Sequence, residues 1–235
     1  MSIQIHLRRL LRSRVFLATA ILVLGLGLGV NMILFNTAYA LFWRPLSFPQ
    51  PDRLVTIKGR AASGDSAVSI TGQDAWTLRA QAAIVGEIGL RGQQRQVALF
   101  QGDEAIDMAS ATVDSGYFRV LELGPVEGRF FGAEEDLGGG PEQPAVLTES
   151  AWRTHFGSDP SVVGRAFIMQ QGGSRRQARV IGIAPGAATL PFAPDAEILL
   201  PIASASPAMR TNFGNSIYRC VVRLQQGVSL PQASA

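Results

Sequence analysis

Residues 15–35 read VFLATAILVLGLGLGVNMILF and lie within a charge-free stretch of 29 residues between Arg14 and Arg44. At ~1.5 Å rise per helical residue, 21 residues extend about 31 Å, enough to cross a hydrocarbon core of ~30 Å. Thirteen of these 21 side chains are Leu, Ile, Val or Phe, which favour insertion into a bilayer. We therefore predict a transmembrane helix over residues 15–43, with residues 1–14 as a cytoplasmic or interfacial amphipathic segment.

A cleaved signal peptide is the alternative interpretation of this stretch. Residues 38–40 read AYA, an A-x-A pattern typical of a cleavage site, and the arginines before the stretch resemble a signal n-region. A signal h-region, however, spans only about 7–15 residues, and cleavage follows it closely. The greater length here favours an uncleaved anchor.

The charges that flank the stretch predict its orientation. The arginines before it are accompanied by no acidic residue, whereas the 15 residues after Phe35 contain a single arginine. The positive-inside rule therefore places the N-terminus in the cytoplasm and residues 44–235 on the outer side of the membrane. The residues predicted to lie at the two membrane interfaces are Arg8, Arg9, Arg12, Arg14, Trp43 and Arg44.

One motif inside the stretch predicts contact with another helix. Gly25 and Gly29 form a GxxxG pattern, and Asn31 follows within two residues. Small residues four apart let two helices approach closely, and a polar amide in the membrane prefers a protein partner to lipid. Because glycine is common in membrane helices, the GxxxG motif alone is a weak signal. The motif together with the nearby amide leads us to predict helix packing through Gly25, Gly29 and Asn31.

The distribution of charge excludes a nucleic-acid partner. The chain has a net charge of +3 and a pI of about 9.6, but all 18 acidic residues lie at or beyond Asp52. Without the four arginines before the apolar stretch, the rest of the chain has a net charge of −1. A nearly neutral domain does not attract nucleic acid by charge, so the basic pI belongs to the membrane segment.

The sequence contains no recognisable catalytic or cofactor-binding constellation. His6 and His155 are the two histidines, Cys220 is the only cysteine, and no Cys/His cluster provides a zinc site. Cys220 lies in an alternating segment and is predicted to pack as a small buried hydrophobe. The acidic run at residues 134–136 is predicted to be solvated, with weak binding of a divalent cation as the alternative. We therefore predict a non-enzymatic protein with no cofactor and no metal.

Residues 44–235 are predicted to form an α+β domain, because short helices and strands alternate without a regular βαβ period. A helix capped by Asp114 or Ser115 and one ending at Gly157 are predicted, with an irregular surface loop between residues 124 and 144. A further helix is predicted at 71–81, capped by Ser69 or Thr71. The predicted strands are 52–59, 83–90, 95–102, 105–113, 144–148, 164–171, 178–185, 197–202 and 217–225.

Several segments in the right order resemble MacB/FtsX-like ABC transporter permeases. They are LGLGLGVNMILFN followed by LFWRPLSFPQPDRLV, then DSGYFRVLELGPVEGRFF, AWRTHFGSDPSVVGRAF, ARVIGIAP and VVRLQQGVSL. The resemblance implies a bacterial inner-membrane protein with one N-terminal transmembrane helix and a MacB-like periplasmic core domain at residues 44–235. It also implies a division of that domain: residues 52–112 with 216–235 would be porter-like, and 113–215 would be an inserted subdomain.

The resemblance implies function and partners as well. Family members couple ATP hydrolysis by a cytoplasmic ABC ATPase to export or mechanotransmission, and three further transmembrane helices complete the permease. This chain ends where a helix after Ser229 would begin, so we expect a truncated product, an experimental fragment or a subunit completed by another chain. The alternative is a stand-alone, single-span periplasmic binding or scaffold protein. Without the following helix, the strand at 217–225 is expected to leave an apolar face or edge exposed, which would favour homo-oligomers or poor solubility.

Overall fold

The structure is a computed structural model. It describes residues 14–42, 49–57, 59–60, 66–67, 69–80, 86–102, 104–138, 140–186, 195–202 and 218–225. The chain divides into two compact units, residues 1–46 and residues 47–235. Each unit is described by itself below.

The first unit contains one helix, α1 (Arg14–Phe42). Its side chains are described continuously over residues 21–36, and all of them are exposed. The Asn31 amide donates a hydrogen bond of 3.1 Å to the Gly27 carbonyl within the same helix. Taken over the described residues, no helix is both long enough and apolar enough to count as a membrane span.

The second unit is a mixed α/β domain, as the sequence predicted. Its helices are α2 (Gly72–Ala80), α3 (Ser115–Val120) and α4 (Glu149–Phe156), with 3₁₀ turns at Pro51–Arg53 and Pro160–Val162. Its described strands are β1 (Leu54–Ile57), β2 (Gly59–Arg60), β3 (Ser66–Ala67), β4 (Gly86–Gln101), β5 (Glu104–Val113), β6 (Glu127–Gly128), β7 (Gln143–Thr148), β8 (Ala166–Gln171), β9 (Ser174–Ala184), β10 (Ile198–Pro201) and β11 (Arg219–Leu224).

Most described strands belong to one sheet in the order β1-β11-β4-β5-β10-β7-β9-β6. Strand β8 pairs with both β4 and β9, so the strands from β4 through β5, β10, β7 and β9 return through β8 to β4. Two of these neighbours, β5/β10 and β7/β9, are parallel. The ring encloses an apolar core of Val97, Leu99, Met108, Ala145, Leu147, Val162, Phe167, Met169, Ala178, Val180, Ile183, Ile198 and Leu200.

One strand replaces two predicted ones. The segments 83–90 and 95–102 were expected to be separate strands, because RGQQRQ at residues 91–96 is polar and contains a glycine. The structure instead has a single strand β4, whose pairing with β5 shifts register between Arg91 and Gln94. The β-bulge accommodates the polar residues, because the side chains of residues 94–96 are exposed while the ladder continues.

The last strand is not an edge strand, contrary to the prediction from the sequence. Strand β11 pairs with β1 on one side and with β4 on the other, and residues 220–224 are all buried. Among the described residues of this unit, the exposed large hydrophobic side chains are only Val126, Leu137 and Ile168. The expectation of an exposed apolar face or edge at β11 is therefore wrong in this part of the chain.

Helices cover both faces of the β1-β11-β4 part of the sheet. On one face, Trp76 and Leu78 of α2 pack against the core formed by Ile88, Leu90, Cys220 and neighbouring side chains. On the other, α3 contributes Tyr117, Phe118 and Val120 to a core that includes Val221. The alternation of side chains along β4 and β11 produces these two faces.

The predicted helix ends are confirmed at several positions. The Asp114 carboxylate accepts a hydrogen bond from the Tyr117 amide at the start of α3. At the start of α4, the Thr148 hydroxyl accepts from the Ala151 amide, a cap that was not predicted from the sequence. Thr71 caps α2 through the Asp74 amide. Gly157 ends α4 with a left-handed backbone at φ 57°, a conformation that glycine adopts at little cost.

Some predictions from the sequence concern residues outside the described ones. These are the interface residues Arg8, Arg9, Arg12, Trp43 and Arg44 and the segment after Ser229. The division into a porter-like part (52–112 with 216–235) and an insertion (113–215) stays a prediction. Strands from both parts take part in the sheet described above.

Candidate functional site

A buried ionic junction connects α2, α3 and the 124–144 loop. The Arg79 guanidinium lies 2.6 Å from the Asp136 carboxylate and 3.3 Å from the Asp114 carboxylate. Asp136 also accepts hydrogen bonds from the Ser115 amide and hydroxyl, at 2.8 and 2.7 Å. The junction therefore joins α2, the start of α3 and the loop, and it fixes the loop to the start of α3.

The Asp114 carboxylate is buried and accepts three sets of hydrogen bonds. Its Oδ1 atom receives the Leu90 and Tyr117 amides, each at 2.8 Å, and its Oδ2 atom faces Arg79. Burial raises the pKa of Asp114 to about 7, although the two amides and Arg79 act in the opposite direction. Ionisation of Asp114 is therefore less favourable in the folded state than in the unfolded chain.

The loop acids behave differently from the solvated cluster that the sequence predicted. Asp136 is 1% exposed and belongs to the junction, and Glu135 forms an ion pair with Arg129 at 2.7 Å. Only Glu134 of the three remains exposed without an ion pair among the described residues. The interpretation as a solvated run is wrong for Asp136, because loop residues 131–136 fold back onto the core through buried Phe131.

A cleft of about 770 Å³ lies between this loop, β7 and β9. Its walls combine apolar surface with arginine and glutamate side chains in equal number. The residues that line it are Arg129, Glu134, Glu135, Gly138, Gly140, Pro141, Glu142, Gln143, Pro144, Arg176, Gln177, Arg179, Ile181 and Pro201. The cleft is concave and lined by several charged side chains, and it is our candidate binding surface.

Two bidentate ion pairs shape the walls of the cleft. Arg129 donates to both carboxylate oxygens of Glu135, at 2.7 and 3.0 Å, and Arg179 donates to both oxygens of Glu142. Hydrogen bonding from Arg179 lowers the pKa of Glu142. Burial opposes ionisation of Glu135, but the hydrogen bonds from Arg129 and the Gly132 amide prevail and lower its pKa. All four groups are therefore charged at neutral pH.

Three further side chains offer binding capacity in the cleft. Arg176 and Glu134 form no ion pair with other described residues, and the Gln143 Nε2 atom is buried without a hydrogen-bond partner in the described part. The cleft thus combines one free cation, one free anion and an amide donor. This set can recognise a polar or zwitterionic ligand through charge-assisted hydrogen bonds.

His155 and Cys220, residue types that often act in catalysis, have structural roles in this domain. His155 forms a hydrogen bond of 2.8 Å with Glu197, which also accepts from the Ala109 amide. Cys220 is a buried free thiol, as predicted, and burial raises its pKa to about 12. Within the described residues, no group of three or more His, Cys, Asp or Glu side chains could hold a metal ion.

The sequence-predicted site residues that are described all lie on α1. Gly25, Gly29 and Asn31 lie along this helix, and a Cβ atom added at either glycine would meet nothing within 4 Å. Arg14 is the first residue of the same helix. Packing of another helix on this face stays a prediction. The sequence reasoning missed the cleft and the junction, and only the Asp114 cap and the 134–136 run pointed towards them.

Comparison with solved structures identifies the fold. A domain described as that of a permease from Porphyromonas gingivalis matches with a TM-score of 0.59 and 20% identity, covering 78% of this chain and 80% of that one. The periplasmic region of MacB from Actinobacillus actinomycetemcomitans matches with a TM-score of 0.54 and 19% identity, covering 77% and 78%. Comparison with curated proteins found no match.

The family comparison covers almost the entire chain. The model of the MacB-like periplasmic core domain matches residues 17–235. This match and the structural neighbours confirm the resemblance to MacB/FtsX-like permeases that the sequence segments indicated. The chain therefore belongs to the MacB-like periplasmic core domain family.

Proposed function

We propose that this chain is the membrane-anchored periplasmic domain of an ABC-type permease and a non-catalytic component of ATP-driven export or mechanotransmission. The observation that carries the proposal is the family match over residues 17–235, which begins within the apolar stretch. The absence of a recognisable catalytic pattern in the sequence favours a mechanical or binding role.

The proposed anchor rests on the sequence. Residues 15–43 carry no charge, four arginines precede them, and Arg44 follows. The positive-inside rule then orients the chain with its N-terminus in the cytoplasm and residues 44–235 in the periplasm. We expect alkaline phosphatase fused after residue 235 to be active in cells and green fluorescent protein at the same position to be dark. The reverse pattern, or release of the fusion into a soluble fraction, would refute the single-span topology.

The proposed mechanical role follows from the packing of the domain. A sheet that closes on itself around an apolar core deforms little, because interiors at close-packed density have low compressibility. A domain of this kind moves as a rigid body when its anchor moves, and it can present the cleft at residues 129–144 to a substrate or partner protein.

The proposed partners are an ABC ATPase and further transmembrane helices or subunits. Affinity purification of the full chain from native membranes in mild detergent should recover an ATPase and a multi-span protein in the same complex. Recovery of neither, in membranes where both are detected, would favour the alternative of a stand-alone single-span binding or scaffold protein.

Substitution of two glycines in α1 tests the predicted helix contact. Gly25→Leu with Gly29→Leu should reduce association in a membrane two-hybrid assay several-fold, because the added side chains keep a neighbouring helix from approaching closely. Gly27→Leu is the matched control, since two residues of helix turn it to roughly the opposite face. Equal signals from the double variant and the control would contradict packing through Gly25 and Gly29.

A further inference from the structure

Arg91 is a buried arginine whose guanidinium is not fully hydrogen-bonded. It lies on β4, is 6% exposed, and its Nε atom has no hydrogen-bond partner. Its guanidinium forms no ion pair with any described residue. An arginine remains charged inside proteins, and a buried charge is normally paired. A bound anion would neutralise this charge and accept a hydrogen bond from the Nε–H group.

A second arginine lies directly across the strand pair. Arg219 of β11 is opposite Arg91 in the antiparallel register, which places the two Cβ atoms ~5 Å apart on the same face. Arg219 is half-buried and likewise has no ion-pair partner among the described residues. Burial lowers the pKa of Arg91 and the charge of Arg219 lowers it further, whereas Tyr117 acts in the opposite direction. Like charges at opposed positions destabilise a sheet unless something lies between them.

Two acidic residues close to Arg91 in the strand register are engaged elsewhere. Glu87, four residues earlier on β4, pairs with Arg119 at 3.5 Å, and Asp114 is held by Arg79 and two backbone amides. The segments that precede and follow β11, residues 203–217 and 226–235, contain no acidic residue, and neither does 81–85 before β4. An anion for this pair must therefore come from outside these elements.

The sheet is irregular at the same place. The bulge in β4 begins at Arg91, and bulges are frequent next to functional sites because they redirect side chains. Strand β11 pairs with β4 as far as Arg91, whereas β8 begins to pair with it only at Ala98. Along this side of β4, residues 92–97 pair with no described strand, and exposed side chains at 94–96 border the arginine pair.

We propose that Arg91 and Arg219 form an anion-binding site that takes a carboxylate or phosphate group of a ligand from outside the chain. Two guanidinium groups supply several N–H donors in planar forks, which match the oxygen atoms of either anion. The ligand would enter beside the bulge of β4, with Arg219 at the rim and Arg91 at the base. The inference is independent of the proposed transport role, because it rests on two side chains that the role does not use.

Calorimetric titration of the purified full chain in detergent tests the site. The probes are inorganic phosphate and succinate at constant ionic strength, with chloride as the reference anion. We expect at least one probe to bind the wild type and to raise its midpoint of thermal unfolding. Binding of phosphate only would identify a phosphate group, binding of succinate only a carboxylate, and binding of both a general oxyanion site.

Three variants decide whether the arginine pair is responsible. Arg91→Met and Arg219→Gln should each weaken binding at least about tenfold, because each removes charge-assisted hydrogen bonds. Arg153→Met, which removes the same charge from an exposed position on α4 outside both the cleft and the arginine pair, should bind like the wild type. If Arg91→Met does not fold, Arg219→Gln gives the answer. Absence of binding by both probes, or equal weakening in all three variants, would overturn the proposal.

Discussion

Replacement of Gly116 by alanine is expected to destabilise the domain by about 3 kcal/mol. A Cβ atom at this position would lie 2.1 Å from the Ile88 carbonyl oxygen of β4, a backbone atom that cannot move without disrupting the sheet. Helix propensity alone predicts the opposite, a gain of up to ~1 kcal/mol, because alanine favours a helix over glycine. Chemical unfolding of the full chain, followed by circular dichroism, measures the sign and size of the change.

Two other glycines complete the experiment. Gly89→Ala approaches the same contact from β4, where the new Cβ atom would lie 2.6 Å from the Tyr117 Cα atom, and it should also cost several kcal/mol. Gly124→Ala is the matched control, since a Cβ atom there meets nothing within 4 Å. We expect it to change the free energy of unfolding by less than ~1 kcal/mol. Similar values for Gly116→Ala and Gly124→Ala would contradict the close packing of α3 on β4.

This contact also shows what the sequence could and could not predict. The D-S-G order at residues 114–116 predicted a capped helix, because a capping carboxylate acts over three residues of the same chain. The need for glycine at 89 and 116 was not predictable, because it arises from the contact between β4 and α3. The two glycines are 27 residues apart in the sequence. A helix cap can be predicted from one segment of sequence, whereas a close contact between two backbones depends on both segments.

The same distinction explains the outcome for the strands. Alternating apolar residues at 217–225 correctly predicted β11, but its neighbours β1 and β4 could not be inferred from that pattern, and the expected free edge was wrong. Residues 91–96 look like a turn because they are polar, yet they continue β4 through a bulge that exposes residues 94–96. Long-range pairing overrides local propensity in both cases.

The binding features were even less accessible from the sequence. Glu135 and Asp136 are adjacent in a loop, but one pairs with Arg129 in the cleft wall and the other with Arg79 in the junction. Nothing in the run of three acids distinguishes these roles, because the arginines arrive from different parts of the chain. The family resemblance, by contrast, was recognisable from the order of several weak motifs.

The stability of the domain should depend on pH through Asp114. Its pKa is raised from 3.8 to about 7 in the folded state, so the folded protein binds more protons than the unfolded chain between these values. The contribution of this group is therefore fully present below pH 3.8 and is lost as pH rises towards 7 and above. Asp114→Asn keeps the shape and the Oδ1 acceptor for the Leu90 and Tyr117 amides but cannot ionise.

The free energy of unfolding of the wild type should consequently fall relative to Asp114→Asn between pH 4 and pH 8, by up to about 1.4 kcal/mol per pH unit within the titration window. Asp159→Asn is the control with the opposite sign: hydrogen bonds from Ser161 lower the pKa of Asp159, so its contribution is lost as pH falls. Unfolding curves of the three proteins at several pH values measure the differences directly. A difference between wild type and Asp114→Asn that stays constant with pH would refute the raised pKa. A difference that grows in favour of the wild type with rising pH would mean that Arg79 outweighs burial and holds the Asp114 carboxylate ionised.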